Sequence, residues 1–114
     1  MDDAQIEQFA QRLQALRVEL LASEQATKDE TRPVELDQAS VGRLSRMDAM
    51  QVQEMAQETA RRRRQQLGRV EAALRRIEAG DFGYCFVCGE EIDPRRLAVD
   101  PTHTRCVACV ERGD

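Results

Sequence analysis

The sequence predicts a mainly α protein: a long antiparallel coiled-coil hairpin followed by a small four-cysteine module. Three observations predict it. Apolar residues recur at alternating spacings of 3 and 4 along two stretches, which is the seam of paired helices. A polar, proline-containing stretch lies between them. All four cysteines fall in the last third of the 114 residues, as two Cys-x-x-Cys pairs. Three Phe, one Tyr and no Trp are too little aromatic mass for a compact core in so short a chain. They suit narrow-seamed helices plus a stapled module. The expected division is 1–79 for the hairpin, with its turn near 30–37, and 80–114 for the module.

The first helix is expected over residues 3–29. Ile6, Phe9, Leu13, Leu16 and Leu20 form its heptad seam, Leu21 lies beside it, and no Gly or Pro interrupts it. Pro33 disfavours helix at Arg32, and Asp37 or Ser40 is placed to cap the next helix. That second helix is expected from about 38 to 79, roughly 60 Å long at 1.5 Å per residue. Its seam reads Leu67, Val70, Leu74, Ile77. Extended backwards it meets Ala60 and Ala56, with Thr59, Met55 and Val52 alongside. Met47, Met50 and Met55 read as seam filler in preference to an adaptable binding surface. Gly42 and Gly68 weaken the helix, Gly68 offering close approach or a bend, and Gly80 is a stop signal.

Cys85/Cys88 and Cys106/Cys109 are separated by seventeen residues. That is the spacing of a tetrahedral four-thiolate zinc site. Two residues between cysteines let one tight turn aim both sulfurs at one ion, and Gly89 suits the positive φ such a turn needs. Four thiolates close the coordination shell, so one structural Zn2+ is expected, not a catalytic one. The module is then a zinc finger. With the ion bound the net charge moves from −4 to about −6. His103 is an alternative ligand, but four cysteines already satisfy the ion. Disulfides fit poorly: the start, Met1-Asp2-Asp3-Ala4-Gln5, lacks the basic and apolar runs of a signal peptide. Phe82, Tyr84 and Phe86 are expected to pack under the helices. Ile92, Leu97 and Val99 are expected to fill the module, Pro94 and Pro101 to mark turns, and short strands to form near 82–85 and 103–106.

No phosphate loop and no Ser/His/Asp constellation is present, so no enzyme is expected. No stretch approaches the ~20 apolar residues of a membrane span, and a cytoplasmic protein is expected. Overall acidity opposes general nucleic-acid binding. Charge is uneven: residues 1–40 are net −5, and residues 61–79 are net +5.

The run Gly80-Asp81-Phe82-Gly83-Tyr84-Cys85-Phe86-Val87-Cys88-Gly89-Glu90-Glu91-Ile92 is followed by Arg95-Arg96-Leu97, Pro101 and Cys106-Val107-Ala108-Cys109. It resembles the zinc finger of the DksA/TraR family of bacterial transcription regulators. The resemblance is strong over residues 70–109, and over 1–69 it is one of architecture. It implies direct binding to RNA polymerase without sequence-specific DNA binding. In the family the coiled-coil tip enters the secondary channel and alters initiation, in some members together with the alarmone ppGpp, in the stringent response. The family's Asp-x-x-Asp-x-Ala tip motif is missing. Ungapped counting puts Gly42, Ser45 and Met47 at its positions, and Asp37 and Asp48-Ala49 are the nearest acidic candidates. Asp37, Ser45, Arg46, Asp48 and the run Arg61, Arg62, Arg63, Arg64 are therefore the candidate polymerase contacts. The bland reading of that run is a solvated face pairing with the acidic first helix. A monomer is expected. Two other functions stay open: a nucleic-acid-binding zinc module using Arg95, Arg96 and Arg105 against acidic neighbours, and a thiol-based redox sensor.

Overall fold

The computed structural model describes residues 1–27 and 43–113. Among the described residues four helices run in the order α1 (Asp3–Ala26), α2 (Arg43–Ala79), α3 (Pro94–Val99) and α4 (Val107–Glu111). The described residues contain no named strand, and one isolated antiparallel bridge joins Tyr84 and Glu91. The chain is thus mainly helical, with its cysteines at the carboxy-terminal end. The turn at 30–37, Asp37, Ser40 and Gly42 lie outside the described residues.

Helix α1 starts on a reciprocal cap. The Gln5 backbone N–H donates to Asp2 Oδ1 at 2.8 Å, and the Asp2 N–H donates to Gln5 Oε1 at 3.0 Å. Two amides that the helix itself leaves unpaired are satisfied in this way. Helix α2 ends where Gly80 predicts. Gly80 adopts φ 79, its N–H donates to Ile77 O at 3.2 Å, and the Asp81 N–H reaches Arg76 O at 2.8 Å. This pair of bonds is the Schellman ending, and its left-handed residue favours glycine.

The chain forms two compact units, Met1–Val18 with Gly68–Asp114, and Glu19–Leu67. In the first of these units the ends of both long helices pack with the finger. In that first unit Leu13, Val70 and Ala73 are fully buried, as are Ile92 and Leu97, and Phe82 is 4% exposed. Phe82 meets Phe9 at 5.7 Å between ring centroids. Arg12 donates to the carbonyls of Ala98 and Val99 at 2.5 and 3.4 Å, satisfying the carboxy-terminal end of α3.

In the unit Glu19–Leu67, Thr27 and Glu24 of one side meet Arg63 and Arg64 of α2 in crossed order, at 2.6 and 3.5 Å. That order is what antiparallel helices give and is consistent with the predicted coiled-coil hairpin. Ala60 is buried there, as the extended register predicts.

Several packing expectations are corrected. Met47, Met50, Val52 and Met55 are exposed, not seam filler. Met55 precedes the buried Ala60 by five residues, about 140° round the helix, and so faces away. A Cβ at Gly68 would meet open space, so no close approach depends on it. Tyr84 and Phe86 are exposed while Phe82 is buried. Gly83 at φ 92 breaks the extended alternation that would have put all three on one face. Val99 is 79% exposed, because it sits two residues from Leu97 on a helix and faces the other way. The strands expected near 82–85 and 103–106 reduce to the Tyr84 bridge and one hydrogen bond, Phe86 N–H to Thr104 O at 2.8 Å.

Candidate metal centre

The first cysteine pair sits at the tip of a tight turn. The Ile92 N–H donates to Gly83 O at 2.7 Å, and the Cys85 N–H donates to Glu90 O at 2.8 Å. Between these, the Gly89 N–H closes on Cys85 O at 3.0 Å, and Gly89 takes the positive φ of 77 that its place after Cys88 predicts. The Val87 N–H points at Cys85 Sγ, 3.4 Å away. The second pair is built on α4. Cys106 is its N-cap residue and Cys109 lies within it, so spacing of three puts both sulfurs on one side. The Phe86 bond to Thr104 ties the two loops together.

All four Sγ atoms lie within 4.8 Å of one another. Cys85 Sγ is 3.7 Å from Cys109 Sγ, and Cys88 Sγ is 3.7 Å from Cys106 Sγ. Disulfides need about 2.05 Å, so these are four free thiols. A regular tetrahedron with zinc–sulfur bonds near 2.3 Å has edges of about 3.8 Å. The cluster therefore fits one zinc ion. His103 is no member of it; its backbone N–H bonds Asp100 O at 3.2 Å.

The sulfurs differ. Cys109 is 0% and Cys85 3% exposed, whereas Cys88 is exposed and Cys106 intermediate. Backbone N–H groups, that of Cys88 first, hold the Cys85 thiol down at about 6, while burial pushes Cys109 up to about 12. Arg112 donates to Cys109 Sγ at 3.1 Å. Sequence reading missed this contact, although three-residue spacing on a helix was there to suggest it. Arg76 lies over the Phe86 ring, 5.3 Å from its centroid, and partial burial, with Arg75 beside it, lowers its pKa from the ordinary value.

The other candidates are dispersed. Asp48 is exposed on α2. Ser45 and Arg46 lie on its first turns, their side chains outside the described ones, as is Asp37 altogether. Arg61 and Arg62 both pair with Glu58, at 2.5 and 3.1 Å. Arg63 and Arg64 turn to Thr27 and Glu24 instead. The arginine run thus divides, two toward the other helix and two toward their own. Of the phosphate candidates in the finger, Arg95 pairs with Asp93 at 2.8 Å, and Arg96 donates to Arg105 O at 3.0 Å.

Comparison with known proteins decides the family. Residues 80–112 match the model of the prokaryotic dksA/traR C4-type zinc finger. The RNA polymerase-binding transcription factor DksA of Caulobacter vibrioides is 32% identical over 112 residues, covering 98% of this chain and 78% of that protein. The chain belongs to the DksA/TraR family. The DksA of Escherichia coli is 44% identical over 48 residues, 42% of this chain and 32% of its own length. The structure of transcription factor DksA2 from Pseudomonas aeruginosa superposes with a TM-score of 0.82 at 29% identity, covering 99% of this chain and 85% of that one. Among DksA/TraR proteins this chain thus shares both parts, the helices and the finger. No helix of the described residues is long and apolar enough to cross a membrane.

Proposed function

We propose that this protein binds RNA polymerase directly and regulates transcription. One zinc ion, held by Cys85, Cys88, Cys106 and Cys109, staples together the two cysteine loops of the finger, which packs with the helix ends. The ion supplies no chemistry beyond fixing the four sulfurs and adding folding free energy. The observation that carries the proposal is the match to a named polymerase-binding factor over 98% of the chain, which a shared finger alone would not give. The tip of the α1–α2 pair enters the secondary channel and modulates initiation, with Asp48 and the outward Arg61 and Arg62 as contacts, together with Asp37, Ser45 and Arg46. The protein works as a cytoplasmic monomer, without sequence-specific DNA contact and without enzymatic activity. ppGpp joins as co-regulator. An arginine-lined groove of about 390 Å³ between Arg69, Arg96, Asp100, His103 and Arg105 is where its binding is to be sought.

The test is co-purification with core RNA polymerase, followed by competition with a known secondary-channel binder. Retention at micromolar concentration and displacement by the competitor support the proposal. Failure to bind core enzyme at that concentration contradicts it. A redox role is tested separately, by zinc retention after mild peroxide.

A further inference from the structure

We propose that Arg112 is a positioning residue of the metal centre, holding Cys109 and offsetting part of the charge on its sulfur. The inference rests on the zinc reading above. Its geometry comes from α4. Arg112 caps that helix, its backbone N–H donating to Ala108 O and Val110 O, and its side chain returns one turn to Cys109 Sγ at 3.1 Å.

The four sulfurs need different things from their surroundings. Four thiolates around one divalent ion carry two net negative charges. Cys88 is exposed, and water stabilises its share. Cys85 has the Val87 N–H. Cys109 is fully buried, so a donor for its sulfur has to come from the protein. A guanidinium meets that need because it stays charged throughout the usual pH range, and a charge-assisted hydrogen bond is about twice as strong as a neutral one. Such a bond offsets part of the site's excess negative charge, which steadies the metal, and draws electron density from the sulfur, which slows its attack on electrophiles. Outer partners of this kind typically change metal affinity about 10–100-fold. Arg112 is itself exposed, which screens its charge and places the effect at the lower end.

The experiment compares the intact wild-type chain with Arg112→Met and Arg112→Lys. Zinc affinity is read by chelator competition, zinc release by its rate under N-ethylmaleimide, and folding by far-ultraviolet circular dichroism. The expected result is about tenfold weaker zinc binding and faster release for Arg112→Met, with unchanged helicity. Arg112→Lys, which keeps a charge, recovers part of both. Equal affinity and release in zinc-loaded wild type and Arg112→Met overturn the inference, as does a Lys variant no better than Met. Wild-type protein that holds no zinc overturns the four-cysteine reading and this inference with it.

Discussion

The two compact units are built in opposite ways. The unit holding the finger buries Leu13, Val70, Ala73, Phe82, Ile92 and Leu97, while the unit Glu19–Leu67 buries Ala60 alone among its described residues. Its helices meet instead through polar pairs, Arg63 with Thr27 and Arg64 with Glu24. Full burial of a Leu or Phe side chain contributes about 1.5–3 kcal/mol, and an exposed ion pair about 0–1 kcal/mol. Stability is therefore concentrated where the sulfurs are. The other unit leaves Met47, Met50, Val52 and Met55 in solvent, so its sequence is less bound by packing and freer to serve a partner.

This contrast can be broken at several points. The largest effect is expected from Cys85→Ser. Structural zinc contributes on the order of 10 kcal/mol of apparent folding free energy. Losing one ligand should release the ion and unfold residues 80–113, while much helical signal survives. Zinc content and limited proteolysis measure both, and a variant that keeps zinc and full stability means the ligands are wrong.

Next in size is Leu13→Ala, expected to cost about 3 kcal/mol in urea unfolding, against less than about 0.5 kcal/mol for Met55→Ala. Equal losses would erase the contrast. Gly80→Ala should cost about 1 kcal/mol, because an L-residue is disfavoured at positive φ; an unchanged midpoint would mean the helix ending is not as described. The smallest effect belongs to Arg64→Ala, below about 0.5 kcal/mol and gone in 1 M salt.

The metal site was the most legible part of the sequence, since Cys-x-x-Cys spacing is a local constraint and the sulfurs follow from it. Gly80 and Gly89 were legible for the same reason: each answers a requirement of its own turn. The seam was legible where side chains are large, as at Leu13 and Val70, and Ala60 followed from the register. Residues 47–55 were not, because with alanines at the interface the period carries no strong apolar signal and exposed methionines resemble seam. Phe86 and Val99 were misread because a turn at Gly83 and the short helix α3 redirect side chains that composition alone would bury. Arg12 and Arg112 went unseen, one because its partners are 86 and 87 residues away, the other because arginine near a cysteine carries no fixed motif.

We propose that one ion, bound at the four clustered cysteines, holds the carboxy-terminal third folded. Elemental analysis of reduced, untagged protein, before and after chelation, is the decisive measurement. One zinc per chain, lost together with the folded finger on chelation, is the predicted result. Reduced protein that carries no transition metal yet keeps residues 80–113 folded contradicts it.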